Sequence, residues 1–488
     1  MAEAVSSAPG AIRLASTQGR WVIAATVLGS SMAFLDATVV NVALPTIGRD
    51  LHTSLAGLQW TVTAYTLTLA GLILLGGALG DRFGRRRMFA LGLLLFTVAS
   101  AAAALSTSAN ALDITRALQG VGAAIVTPLT LTILSAAVPR ERRGLALGIW
   151  GGIGGLAIAI GPLVGGAIVN GVSWHWIFWL NVPIGLVLAP LALARLEKTR
   201  GTDSSLDLPG LGLASVGLLG IVWGLVRGNA LGWTSLGIVL PIVAGVALVV
   251  AFVGWELRTE SPMLPMHFFR SRTFALTNAA SLLMFFGMFG SIFLLTQFFQ
   301  TVQHFSPLQS GLRILPWTAM PIFVAPIAGA LSDRIGGQRF MTVGLALQAT
   351  GLAWIAAVSS PTVSYSSLVL PFILAGTGMA FFFAPVANVV LSSVRPEHEG
   401  KASGANNAIR EVGGVLGVAV LASIFAHAGG YQSAHTFSHG TNSAVFVGAA
   451  VVAAGSLAAA LIRGRRMQTA PQTQKTQTAP EEALEAAA

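Results

Sequence analysis

Fourteen apolar segments, each about as long as a helix that crosses a bilayer, fill this 488-residue chain. They lie at 21–44, 57–80, 88–106, 111–137, 144–169, 173–194, 208–227, 233–256, 273–300, 310–331, 340–358, 366–393, 401–426 and 443–462. A span needs roughly 20 apolar residues, rising about 1.5 Å each, to cross a hydrocarbon core of about 30 Å. Only 9% of the residues are charged and 54% are hydrophobic, whereas a soluble domain carries about 25% charged residues. Such a chain cannot cover its surface in water, so its solvent is largely lipid. The sequence predicts an all-α integral membrane protein of 14 transmembrane helices.

A short charged phrase occurs twice. The first copy is Gly77-Ala-Leu-Gly-Asp81-Arg82-Phe-Gly84-Arg85-Arg86, and the second is Gly329-Ala-Leu-Ser-Asp333-Arg334-Ile-Gly336-Gly337. Asp333 follows Asp81 by 252 residues. Gly120-Val-Gly122 with Pro128 recurs as Gly376-Thr-Gly378 with Pro385, at an offset of 256 or 257. Spans 1–6 therefore correspond to spans 9–14, two six-helix pseudo-repeated bundles with two inserted helices between them. The expected units are an N-terminal tail (1–20), a first bundle (21–195), a linker with two extra spans (196–260), a second bundle (261–466) and a disordered tail (467–488) rich in Gln, Thr, Pro, Ala and Glu. Two similar halves around a central site are the signature of a secondary transporter.

The formal charge is +10. The N-terminus, the loops after even-numbered spans and the C-terminal tail hold 23 of the 28 Lys and Arg residues. That bias places both termini in the cytoplasm. It also accounts for the basic balance without a nucleic-acid partner. The apolar run from Trp21 to Leu44 is longer than the roughly 7–15 residues of a signal-peptide core, so it reads as an uncleaved first span. There are no cysteines, hence no disulfides or thiolate metal sites. No phosphate loop of the G-x-x-x-x-G-K-[ST] type is present, the Gly151–Gly155 run falls inside a span, and the eight histidines lack ligand spacing. No metal, no cofactor and no enzymatic activity are expected.

A few polar residues inside the spans carry the candidate chemistry. Asp36 lies past the middle of span 1. An ionised carboxylate there costs at least roughly 2.5–3.5 kcal/mol, so it faces a wet cavity, takes up a proton, or is a structural acid that bridges to span 4 or caps a hydrogen-bond network. Glu411, in span 13, is a second carboxylate; its neighbour Arg410 is about 100° round the helix, so the two should not face one cavity squarely. Arg116 in span 4 has Asp113 three residues earlier on the same face; it either modulates Asp36 or Asp113 or forms a static pair with Asp113. Gly77, Asp81, Arg82, Gly84 and Arg85, with Asp333 and Arg334, read as a cytoplasmic gate. In span 5, Gly151, Gly155, Gly161 and Gly165 permit close helix approach, and Pro162 removes a backbone donor. Asn41, Tyr65, Gln119, Phe289 and Gln297, with Trp60, Phe285, Phe286 and Phe293, are candidates to line an aromatic cavity for flat lipophilic cations; packing or lipid contact is the plainer alternative.

These phrases resemble the major facilitator superfamily, specifically its 14-span drug:proton antiporter branch, over roughly residues 20–465. The Gly77–Arg86 phrase resembles the loop motif between spans 2 and 3. Arg116-Ala-Leu-Gln119-Gly120 resembles the span 4 motif, Gly151 to Gly166 with Gly161-Pro162 the span 5 antiporter motif, and Asp36-Ala-Thr38-Val-Val-Asn41-Val-Ala-Leu-Pro45 the span 1 motif of the 14-span exporters. The chain departs from the family in having His175, where Arg is usual, between Trp174 and Trp176, in Gly337-Gln338 in the second loop motif, and in lacking an acid in span 10. The resemblance implies a proton-coupled antiporter of the cell membrane that exports drugs or amphipathic, cationic compounds, with a role for Arg116 in proton transfer. The alternative is an exporter of an endogenous metabolite, self-made antibiotic, siderophore or lipid. The expected partners are a small-molecule substrate, protons and the lipid bilayer, and the expected state is a monomer.

Overall fold

Serine side chains cap the start of six of the described helices. The side chains of Ser16, Ser54, Ser108, Ser271, Ser306 and Ser433 each accept a hydrogen bond from a backbone N–H of the first turn, satisfying a donor that would otherwise be orphaned at the helix end. The helices are those of a computed structural model, which describes residues 16–138, 156–157, 160–199, 207–395 and 399–462. Among the described residues there is no strand.

The helices are α1 (Thr17–Asp50), α2 (Leu55–Phe83), α3 (Arg85–Ala104), α4 (Ala109–Ala137), α5 (Ile160–Gly171), α6 (Trp176–Arg195), α7 (Leu208–Leu231), α8 (Leu236–Glu256), α9 (Arg272–Thr301), α10 (Pro307–Thr318, then Met320–Ile335), α11 (Gly337–Val358), α12 (Ser366–Ser392), α13 (Glu399–Ala428) and α14 (Ala434–Ala460). Among the described residues, twelve are long and apolar enough to cross a membrane. A thirteenth is α2, bent by 51° between Ile73 and Leu75, just before Gly76-Gly77, where a glycine pair weakens the helix. Most of the expected span 5 lies outside the described residues.

Three features differ from expectation: α1 runs on to Asp50 instead of ending at 44, and α10 and α14 depart as follows. α10 breaks at Ala319, ahead of Pro321, which cannot donate to the preceding turn. α14 begins at Ala434, not 443, because a reciprocal Ser433–Thr436 cap extends it over polar residues that an apolar window does not detect.

α1 and α6 run in opposite directions. The start of α1 meets the end of α6 through a hydrogen bond from Gln18 to Glu197. The end of α1 meets the start of α6 through Trp174, whose indole N–H donates to Asp50 at 2.8 Å. These contacts define a near end, where the chain starts, and a far end. In the first half α2 and α3 pack on α4, α1 packs on α4 and α6, and α3 on α6. In the second half α10 and α11 pack on α12, α9 packs on α12 and α14, and α11 on α14. Between them, α7 pairs with α8 and also touches α2 and α13. The Ser215 hydroxyl donates to Gly71 O on α2 at 3.3 Å, and the Asn229 amide donates to Ser423 O on α13 at 2.8 Å.

Glycines let these backbones meet. A Cβ at Gly120 would fall 2.3 Å from the Tyr65 carbonyl oxygen on α2, and one at Gly122 would fall 2.7 Å from Phe96 N on α3. Gly376 stands in the same relation to Trp317 O on α10, and Gly378 to Gly344 O on α11, both at 2.3 Å. At the far end the two halves touch directly. Gly311 of α10 lies against Pro162 O of α5, Gly166 of α5 against Pro307 O of α10, and the Gln300 amide donates to Val42 O at 2.8 Å.

Candidate functional site: a buried ion pair behind an aromatic cavity

Asp36 sits on α1 with no exposed surface, and its carboxylate points into the first half. Arg116 of α4, 1% exposed, donates from Nη1 to Asp36 Oδ2 as an ion pair. The other oxygen, Oδ1, accepts from the amides of Asn181 (3.2 Å) on α6 and Gln119 (3.3 Å) on α4. Gln119 is held in turn: its Oε1 accepts from Arg116 at 2.9 Å, and its Nε2 donates to Ser100 Oγ on α3 at 2.6 Å. Arg116 Nε donates to Thr61 O on α2 at 3.1 Å. Residues from α1, α2, α3, α4 and α6 thus converge on one ion pair, and each donor offsets part of the cost of burying charge.

Tyr65 separates this pair from the space between the halves. Its ring centroid lies 4.4 Å from the Arg116 guanidinium carbon, and its hydroxyl donates to Ala33 O at 3.0 Å. The opposite side of Tyr65 helps line a narrow cavity with Phe34 and Thr38 from the first half and Phe285, Phe289, Arg410 and Glu411 from the second. Asp36 is not among the lining residues. Of the arrangements open to it, the geometry has Asp36 bridging to span 4 through Arg116, in a polar network one aromatic ring away from the cavity. Arg410 and Glu411, expected to diverge, both line the cavity, because the long Arg410 side chain reaches over Phe285 with 4.4 Å to the ring centroid.

The remaining candidates fall elsewhere. Asp113 is not the ion-pair partner of Arg116; its Oδ1 accepts from the Thr61 hydroxyl at 3.1 Å. Of the cavity candidates, Tyr65 and Phe289 line the cavity, and Gln119 belongs to the ion-pair network. Asn41 donates to Ala37 O on its own helix. Gln297 accepts from the Tyr431 hydroxyl in the far α13–α14 turn, where burial raises the Tyr431 pKa.

In the first loop motif Arg85 bonds Asp81 at 2.8 Å across the α2–α3 turn. The Arg85 backbone N–H donates to Thr199 O, and Arg86 donates to Leu196 O, so the motif is tied to the end of α6. Gly84 has φ +98° and ψ 122°, and Gly336 in the second copy has φ +104° and ψ 126°, a conformation that L side chains avoid. Arg82 lies 5.5 Å from the Phe83 ring. Gly77 makes only an ordinary contact; its neighbour Gly76 is the close one, with a Cβ there 2.0 Å from Ala124 O. Asp333 and Arg334 fall on the last turn of α10, and their side chains lie outside the described residues. So do Gly151 and Gly155. Gly161 and Gly165 pack on Thr38 and Val39 of α1, and Pro162 meets Gly311 across the halves.

Ser100, Asn181 and Thr61 were not singled out from sequence. Asn181 carried a signal, a lone amide between Leu180 and Val182 in an apolar span, since polar groups at membrane depth are costly unless used.

A bundle of bilayer-length helices, with a buried ion pair beside a cavity shared by two helix groups, defines a multi-pass membrane protein of the carrier type. The chain belongs to the Major Facilitator Superfamily, whose family model matches residues 26–418. It is 36% identical over 404 residues to the tetracenomycin C resistance and export protein of Streptomyces glaucescens, covering 82% of this chain and 75% of that one. It is 34% identical over 437 residues to the puromycin resistance protein of Streptomyces alboniger, covering 88% and 85%. Among solved structures it is similar to an auto-inhibited POT family peptide transporter, with a TM-score of 0.66 and 17% identity over 92% of this chain and 98% of that one. That likeness concerns the fold.

Proposed function

We propose that this chain is a proton-coupled antiporter of the cell membrane that exports drugs or amphipathic compounds by alternating access. The observation that carries the reading is the Asp36–Arg116 pair, buried one ring away from a cavity lined by both halves. The relatives named for resistance to tetracenomycin C and puromycin support the direction and the substrate class. The 14-span layout and the pseudo-repeat are part of the same proposal. They are supported by the matching helix pairs in the two halves and by the matching φ and ψ of Gly84 and Gly336. The Lys and Arg distribution supports cytoplasmic termini, which makes the far end external.

Asp36 is the proton site in this scheme, and Arg116 is its counter-charge. While Asp36 is ionised, the pair holds α1 against α4. A proton arriving from outside neutralises the carboxylate and frees the guanidinium, which changes how α1 and α4 pack and lets the halves rock. Tyr65 touches both the guanidinium and the cavity, so cavity occupancy is transmitted to the pair through one ring. The energy comes from the ion gradient: a potential of about 100 mV supplies about 2.3 kcal/mol per charge.

The test is proton counterflow. Proteoliposomes holding an imposed pH gradient are offered a panel of aromatic antibiotics and dyes of either charge. Compound-induced collapse of the gradient is expected with the wild type and not with Asp36→Asn. Compound movement with no proton counterflow would overturn the coupling.

A further inference from the structure

The cavity between the halves is lined by two ionisable side chains, Arg410 and Glu411, that have no salt bridge among the described residues. Arg410 gives one Nη1 bond to Asn407 Oδ1 at 3.2 Å, while its buried Nε has no acceptor. Its guanidinium lies 4.4 Å from the Phe285 centroid and 5.4 Å from that of Phe383. A guanidinium stays charged in a protein. Its buried Nε, left without an acceptor, favours an entering group that supplies one.

We infer that Arg410 recognises an acidic oxygen, and that the compound bound here is a planar aromatic acid. In this closed form the cavity has a volume of only about 20 Å³, room for one water, so the compound enters only when the halves part; its ring then lies against Phe285 and Phe289, with its carboxylate or phenolate on the Arg410 fork. The inference rests on the drug-export reading only in taking this cavity as the carrier's binding site. It departs from the expectation of a lipophilic cation for a specific reason. Asp36, the carboxylate such a cation would use, is behind Tyr65 and already holds Arg116. Glu411 remains, but the two adjacent charges offset each other, so the choice rests on the Arg410 Nε, a buried donor that only an acceptor can satisfy. The guanidinium suits an acidic oxygen because its planar donors match a carboxylate two bonds at a time, and the stacked Phe285–Phe289 pair, with centroids 5.8 Å apart, suits a flat ring.

A matched pair of probes tests this: 2-naphthoate and (2-naphthylmethyl)trimethylammonium, with one ring system and opposite charge. Their binding to the full chain in nanodiscs is measured by calorimetry. The wild type should bind naphthoate about 10- to 100-fold tighter than its cationic counterpart, the range of one charge-assisted hydrogen bond. Arg410→Gln should erase that preference. Arg410→Lys, which keeps the charge but loses the fork, should keep part of it. Thermal unfolding of both variants identifies any that fail to fold, and the lysine variant then decides. Tighter binding of the cation, an unchanged ratio in folded Arg410→Gln, or no binding of either probe by the wild type would overturn the assignment. Efflux of naphthoate from proteoliposomes under a pH gradient is scored separately. Naphthoate bound through Arg410 but never moved would leave the recognition standing and sink the export reading.

Discussion

Arg116 pairs with Asp36 on another helix and not with Asp113, one turn before it on its own. The choice follows from what surrounds each acid. Asp36 is closed in by two amides and has no access to solvent, whereas Asp113 has a hydroxyl partner and is only partly buried.

Removing one charge of the pair should therefore harm the fold as well as transport. Asp36→Asn leaves Arg116 buried and unpaired, at a cost of about 3–5 kcal/mol. The double variant Asp36→Asn with Arg116→Gln leaves no orphan charge and should recover most of that stability. Neither should export. Thermal unfolding set beside proteoliposome efflux checks this; a double variant as unstable as the single one would show that the pair's charge is not the source of the loss.

Gly84 should tolerate alanine poorly even though there is room for a methyl group. The nearest atom to a Cβ there is 3.9 Å away, so the penalty is conformational, about 1–3 kcal/mol for a side chain held at such a φ and ψ. Gly336→Ala should cost about the same. Gly254→Ala, on α8 with open space and helical backbone, should be neutral or slightly stabilising. Melting temperatures of the three variants decide.

The far end should sense acid through His175. Its ring stacks on Trp174 with centroids 3.7 Å apart. Burial lowers its pKa below the ordinary value, and Asp50 opposes that only in part. Because the folded pKa lies below the unfolded one, this contribution to stability is complete above about pH 6.5 and is lost as the pH falls through the folded pKa. His175→Gln should flatten that part of the stability–pH curve. An identical acid limb in the variant would assign the sensitivity to another group.

The chain has no cysteine, so paired cysteines can be introduced without a background. The Asn229 amide lies 3.0 Å from Ser423 Oγ, and cysteines at both positions should be bridged by a short thiol-reactive linker. Joined in this way, α7 is fastened to α13 while Ser215 still holds it to α2. Transport should stop on cross-linking and return on reduction of a cleavable linker. Full transport with the link intact would mean that α7 travels with the second half.

Much of this architecture is legible in the amino-acid order. Apolar length and polar punctuation locate the helices, and the recurrence of Gly84 as Gly336 marks a shared backbone need rather than a shared side chain. What escapes is direction around the helix. A helix that is apolar on every side shows no stripe to say which face looks inward, so Asp36 could be placed at a depth but not aimed. The network behind it escapes for a related reason: Ser100 and Asn181 act as single polar atoms from distant helices, and no spacing along the chain joins them. The start of α14 escapes because a cap, not apolarity, sets it.

The far-end seal between α5 and α10 is made where Gly166 and Gly311 meet the opposite backbone. At these two contacts backbone meets backbone, so no rotamer change there can open a gap. It parts only when whole helices separate. A methyl group at either glycine would wedge the seam and should raise the passive proton conductance of the membrane before it alters what the protein binds.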